Sequence, residues 1–474
     1  MNRARRAALA GLSAALAITS AMAASPAVAA PYLVGIEDER ILLSEPEQAP
    51  AVVAAWVESG VDIVRIHARW GDLAPGARVR PAGFDGADHR DPGYHWAELD
   101  RAVDLVHGAG LQIMLTVTGP GPLWTSRAPR RRNPRYKPDP SAFRAYAGAV
   151  ATRYGDRVDT YLVWNEPNIP GWLSPQLECR RGRCTPVAPH LYRELFQAGR
   201  AAIKASDPIA EVVAGELAPI GNPPRNENSR MPPLTFLRSM ACLDERYRPL
   251  PRRGACARFR PVHADAIGHH PHGVRAAPDE PSRDPLSAKI ADLPRLFGVL
   301  DRLTARGRFV APGGGRLTVH LTEFGYQTSP PDHAIGIPVA KQAEYLEQAA
   351  YLAWRTPRIR SLVHYQWIDE PVRYRAPGRL AYAGWQSGLH FVDGRPKPAL
   401  AGFLTPFVRD GSRFWGQIRP GARHRIALER PDGPGRFKTV AMAETDDAGF
   451  WSLDIPGEPR ADHRISTEPI VPAA

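Results

Sequence analysis

The sequence predicts an α/β fold, a (β/α)8 TIM barrel with a small C-terminal β-sandwich domain. Three observations carry that reading. Short β-branched or apolar runs alternate with helical periodicity from Tyr32 to about Phe407. The segments that follow those runs are long, whereas the turns that precede them are short, which is the asymmetry of a barrel with its working face at the strand C-termini. Beyond Arg409 the pattern changes to alternation of period two, broken by turn clusters.

The eight strand candidates are Leu33 to Ile36, Ile63 to Ile66, Gln112 to Val117, Thr160 to Trp164, Glu211 to Gly215, Ala264 to Gly268, Thr318 to Thr322 and Leu362 to Gln366. Between them, helical periodicity covers Ala49 to Glu58, Trp96 to His107, Pro140 to Tyr154, His190 to Ser206, Leu234 to Glu245, Ala288 to Thr304 and Ala340 to Trp354. A short last helix falls near Pro398 to Leu404. Gly60, Gly108 with Gly110, and Gly155 close helices just before the next strand, as helix C-termini commonly do.

Three segments are expected: a signal peptide over 1–29, the barrel over 30–408, and a small all-β domain over 409–474. Arg3, Arg5 and Arg6 open a small apolar stretch that ends at the Ala27-Val28-Ala29 cleavage pattern, so the protein is expected to be secreted. Beyond that leader no run reaches the roughly 18 apolar residues of a membrane span. In the C-terminal segment, Phe414 to Ile418, His424 to Leu428, Phe437 to Ala443 and Gly449 to Ile455 alternate as strands, and Trp415 and Trp451 read as core aromatics rather than a sugar platform. The four cysteines suit an oxidising compartment, and their spacings suggest the local bridges Cys179 to Cys184 and Cys242 to Cys256.

The formal charge of +12 is basic, but only six of the 61 basic residues are lysines, so the bias is compositional. No basic stripe with interleaved aromatics marks a nucleic-acid surface. The loop from Arg127 to Lys137 concentrates Arg127, Arg130, Arg131, Arg132 and Arg135 after the third strand. Facing a cleft, it would favour an anionic polysaccharide; facing water, it is an ordinary solvated loop.

Two carboxylates stand at strand exits. Glu166 follows the fourth strand in Trp164-Asn165-Glu166-Pro167-Asn168, and Glu323 follows the seventh in Thr322-Glu323-Phe324-Gly325-Tyr326. A lone glutamate is usually an ordinary surface group. Two of them at strand ends, three βα units apart, can meet across one barrel mouth and divide the labour of acid/base and nucleophile. The first motif, and less specifically the second, resemble those of glycoside hydrolase clan A, closest in flavour to family 39 and the cellulase-like family 5. Pro138-Asp139-Pro140, Phe143, Tyr146 and Arg153-Tyr154-Gly155 fit the same likeness.

That resemblance implies a glycosidase hydrolysing O-glycosyl bonds, β-linked in the clan, in a poly- or oligosaccharide, with retention and without a cofactor. It implies Glu166 as acid/base, Glu323 as nucleophile, Asn165 on the sugar 2-hydroxyl, Arg65 beside the nucleophile, and Trp367 as the stacking platform after the eighth strand. General-acid duty calls for a proton held by Glu166, and nucleophilic duty for an ionised Glu323. His270 is a candidate sugar contact, and His272 stands where the family often carries tyrosine, which puts the usual tyrosine contact to the nucleophile in doubt. Tyr326 and His67 are weaker candidates, and Trp70, Trp124, Trp172 and Trp385 lie in rim loops. His269-His270-Pro271-His272 with His263 could suggest a metal, but no accompanying ligand set is evident and none is expected. A monomer is expected. The rival readings are a barrel that binds carbohydrate without catalysis and a transglycosylase.

Overall fold

The computed structural model describes residues 32–470, so the expected signal segment lies outside the described residues. Eight parallel strands close into a barrel: β1 (Leu33–Glu37), β2 (Ile63–Arg69), β3 (Gln112–Thr118), β4 (Thr160–Val163), β5 (Glu211–Leu217), β6 (Ala266–His269), β7 (Thr318–Phe324) and β8 (Ile359–Tyr365). Closure is made by β1, which pairs with β8 from Leu33 opposite Ser361 to Glu37 opposite Tyr365, and with β2 at Gly35 and Ile36.

The barrel interior is filled. Ile63, Met114, Leu162, Val213, Ala266 and Val363, one from each of six strands, form a buried layer across it. Each larger aliphatic contributes about 1.5–3 kcal/mol on burial. Gly35 leaves that layer its room, since a Cβ there would sit 2.7 Å from Cγ2 of Val363. The opposite faces of the strands pack on the helices in one continuous core.

Those helices are α1 (Ala49–Glu58), α2 (Ala97–Gly108), α3 (Pro140–Tyr154), α4 (Ala188–Ser206), α5 (Pro233–Met240), α6 (Leu293–Ala305), α7 (Val339–Trp354) and α8 (Pro398–Leu404). The Asp139 side chain caps α3 by accepting from the Ser141 amide at 2.7 Å, with Pro140 in the first turn. Arg153 grips Asp100 of α2 through two guanidinium nitrogens, and the Tyr154 hydroxyl adds a third bond at 2.8 Å. The α3 residues within the family likeness therefore hold neighbouring helices together.

Two helices differ from the periodicity. The run expected to reach Glu245 stops at Met240, because Cys242 turns left-handed (φ 53°) and is bridged to Cys256. The run expected from Ala288 becomes α helix only at Leu293, after a 3-10 turn over Ile290–Asp292 and with Pro294 in the first helical turn. Both expected disulfides form; Cys179–Cys184 pins a hairpin of Leu177–Arg180 and Arg183–Pro186 in the loop after β4.

The C-terminal strands make two three-stranded antiparallel sheets, Phe407–Asp410, Arg413–Gln417 and Phe450–Asp454 in one, Phe437–Glu444, His424–Pro431 and Arg464–Pro469 in the other. The first and last of these strands escaped the sequence pattern. Phe414, Ile418, Ile426, Leu428 and Trp451 fill the space between the sheets. Trp415 and Phe450 instead pack on Ala350 and Tyr351 of α7, so both tryptophans are core residues, as expected.

Candidate active site

The site is organised around Arg65, a fully buried cation pointing from β2 into the barrel mouth. Its Nε donates to Oε1 of Glu216 at 2.9 Å and to the Thr116 hydroxyl at 3.1 Å. Nη1 donates to Glu37 and, at 3.3 Å, to Oε2 of Glu323; Nη2 donates to Oδ1 of Asn165 at 2.7 Å and lies 3.1 Å from Nε2 of His67. Burial works against the charge, but Glu216, Glu37 and Glu323 outweigh it and hold the guanidinium protonated far above its ordinary range.

Glu323 lies at the penultimate position of β7 and keeps 11% of its side chain exposed. Its Oε1 is 3.1 Å from Nε2 of His272, and its Oε2 is 3.5 Å from Nδ1 of His270. Burial pushes its carboxyl upward, yet His270, His272 and Arg65 pull it well below the usual carboxylate range, leaving it ionised. His272 stands where the family likeness led one to look for tyrosine, and it contacts the same carboxylate, with its other ring nitrogen 3.3 Å from the Gly325 carbonyl.

Glu166 arrives from β4 through an unusual backbone: Trp164 and Glu166 both have positive φ (74° and 36°). The turn is held from below. The Trp164 ring lies over Gly119, where a Cβ would fall 2.3 Å from it, and the Glu166 amide donates to the Glu216 carbonyl at 3.0 Å. Oε1 of Glu166 then lies 3.2 Å from Nδ1 of His270. That nitrogen touches both carboxylates, so the contacts of 3.2 and 3.5 Å cap the separation of those two oxygens at their total, 6.7 Å. Burial lowers the His270 imidazole, but Glu323, Glu166 and Glu216 raise it to about 10, a cation wedged among three acids.

Arg65, Asn165, Glu166, His270, His272 and Glu323 are thus brought together as one cluster. Two other candidates are not. The Tyr326 hydroxyl donates to the Ala276 carbonyl at 2.8 Å in a fully buried setting. Trp367 is 95% buried and packs on His390 with ring centres 4.8 Å apart. Trp385 is the half-buried aromatic beside the cluster, 5.2 Å from His272 and edge-on to Tyr365 at 5.6 Å. Trp70 is core, stacked on Tyr146 at 5.4 Å, while Trp124 packs on Phe84 and Trp172 stacks on His67 at 6.1 Å.

Glu37 and Glu216 went unnoticed in the sequence, although they obey the rule that singled out Glu166 and Glu323: each is a carboxylate at a strand C-terminus. Glu216 is held below its ordinary value, burial being overcome by Arg65 and His270, whereas burial raises Glu37. His270, His272 and Glu323 each offer a ligand atom within 4.8 Å of the others. The buried charge of Arg65 on the same carboxylate, and the proton held by His270, oppose a metal cation there.

No protein-family model and no curated protein matches the chain. Solved structures do share its fold, which is that of a (β/α)8 barrel bearing antiparallel sheets at its C-terminal end. One is a family 39 glycoside hydrolase from Bacteroides cellulosilyticus WH2, 16% identical, with 90% of this chain and 79% of that one covered and a TM-score of 0.52. Another is a glucosidase from Croceicoccus marinus, 15% identical, covering 89% of this chain and 92% of that one with a TM-score of 0.50. At such identities the likeness is one of fold.

Proposed function

We propose that the protein is an exported retaining glycoside hydrolase that cleaves β-linked O-glycosidic bonds by double displacement. The observation that carries the reading is the shared contact of His270 with Glu166 and Glu323, which brings their oxygens within 6.7 Å across the barrel mouth. Retention needs two carboxyl groups about 5–5.5 Å apart, whereas inversion needs about 6.5–9.5 Å to admit a water between acid and base. Two carboxyl groups that share one imidazole nitrogen are within reach of a single sugar ring, which supports the reading.

The division of roles follows from the surroundings. Glu323, kept ionised by His270, His272 and Arg65, attacks the anomeric carbon. Glu166, more exposed and fixed by the Trp164 turn, gives its proton to the leaving oxygen and then takes one from the incoming water. Trp385 offers the sugar an aromatic face. Asn165, whose carbonyl oxygen accepts from Arg65, has its amide NH2 left to donate to a sugar hydroxyl. The two disulfides suit an oxidising compartment, which supports export.

Hydrolysis of a panel of aryl glycosides followed by proton NMR tests the mechanism. The first product to appear should have the anomeric configuration of the substrate. Initial release of the opposite anomer would exclude double displacement, and no hydrolysis of any natural or activated glycoside would favour a carbohydrate-binding barrel.

A further inference from the structure

A cleft of 490 Å³ lies beside Trp172 in the loops that follow the second, third and fourth strands, within the roughly 300–1,000 Å³ range of ligand sites. A chain of contacts links it to the cluster. The Trp172 ring stacks on His67, and Nε2 of His67 lies 3.1 Å from Arg65, which reaches Glu323. Three guanidinium groups, Arg69, Arg132 and Arg135, line the cleft against a single carboxylate, Asp72. Arg69 is already paired with Glu39. Neither Arg132 nor Arg135 pairs with a carboxylate among the described residues.

These two arginines belong to the Arg127 to Lys137 loop; both are exposed, while the backbone that carries them is laced down. The Arg127 amide donates to the Lys137 carbonyl at 2.8 Å, and the Ser126 hydroxyl donates to the Tyr136 carbonyl at 2.5 Å. The Ser174 backbone ties down the returning arm of the loop, its amide donating to the Arg135 carbonyl at 2.9 Å and its carbonyl accepting from the Lys137 amide at 2.7 Å. Other arginines of the loop are spent elsewhere: Arg127 on Glu194, Arg131 over the Tyr136 ring. Arg135 is aimed by its Nε, which donates to the Gly171 carbonyl at 2.5 Å next to Trp172 and leaves its two Nη groups unused. A guanidinium fork held in this way matches the planar oxygens of a carboxylate.

We infer that this cleft is a subsite for a carboxylate-bearing sugar ring, its CH face on Trp172 and its acid group toward Arg132 and Arg135. The inference rests on the glycosidase reading and names the class of substrate, an acidic oligosaccharide.

The test is calorimetric titration of the Glu323→Gln protein, in which turnover is blocked, with oligomers of glucuronic, galacturonic and mannuronic acid and with the carboxyl-reduced form of each. At least one acidic oligomer should bind about tenfold more tightly than its reduced counterpart, a preference that about 0.5 M salt should shrink. In a background also carrying Arg132→Gln and Arg135→Gln the preference should fall to about one, while binding of the reduced oligomer reports that the fold survives. The inference is overturned if no acidic oligomer outbinds its reduced form, or if the preference persists without the two arginines. Hydrolysis of neutral aryl glycosides by the parent protein is read separately: it continues if only the acidic subsite is wrong, and it is absent if the glycosidase reading is wrong.

Discussion

At the scale of residues, one buried cation and one wedged imidazole distribute charge among four glutamates, Glu37, Glu166, Glu216 and Glu323. Arg65 compensates Glu37, Glu216 and Glu323 at once, so Arg65→Met should cost about 3–5 kcal/mol in a denaturation experiment, the penalty of stranding buried carboxylates. Glu323→Gln should lower turnover by at least about 10³-fold, as loss of a nucleophile does. Glu166→Gln should lose about 10²–10⁴-fold on substrates whose leaving group needs a proton and little on activated aryl glycosides. His270 adds a pH signature. Its folded value of about 10 lies above the ordinary imidazole value of 6.5, so the stability it supplies is complete below 6.5 and drains away as pH rises toward 10. Scanning calorimetry should show the melting temperature falling over that interval, and His270→Gln should flatten the fall. Glu323, shifted the other way, contributes stability that is complete above the ordinary carboxylate range and drains away as pH falls below it.

At the scale of elements, the eight strands, their order and most helix starts were legible because period and punctuation are local properties. The long β4 exit was legible only as a motif. What makes it work is the contact of Trp164 with Gly119, residues 45 positions apart, which no local pattern reports. Gly119→Ala would push a methyl group into the Trp164 ring, and we expect a loss of about 1–3 kcal/mol together with reduced turnover, read by denaturation and by the tryptophan fluorescence of the native state. Tyr326 and Trp367 show the limit of reading residues by position. Each sits at the expected strand end, yet the hydroxyl of one is bonded to a carbonyl of a neighbouring loop and the ring of the other turns into the core. Trp385, 18 residues past Trp367 in a long loop, occupies the place beside His272 instead, and loop conformation was not readable.

At the scale of the whole molecule, the C-terminal sheets are joined to the barrel by an apolar contact. Trp415, buried to 1% exposure, sits among Tyr351, Trp354 and Phe450, and Arg355 and Tyr351 both reach Asp410. From Tyr32 onward the described residues belong to one compact unit, in which this contact joins the core of the barrel to that of the sheets. Trp415→Ala should cost about 3–5 kcal/mol and lower the melting temperature of the barrel as well as of the sheets. Two independent transitions, with the barrel unaffected, would show that the contact is not energetically coupled.

The measurement that bears most directly on the central claim is covalent trapping. An activated 2-deoxy-2-fluoro glycoside of a sugar the protein hydrolyses should inactivate it with a stoichiometry of one, and peptide mapping by mass spectrometry should find the glycosyl group on Glu323. A label on Glu166 or on another residue would contradict the assignment of roles, and hydrolysis that proceeds with inversion and without any label would contradict the double displacement itself.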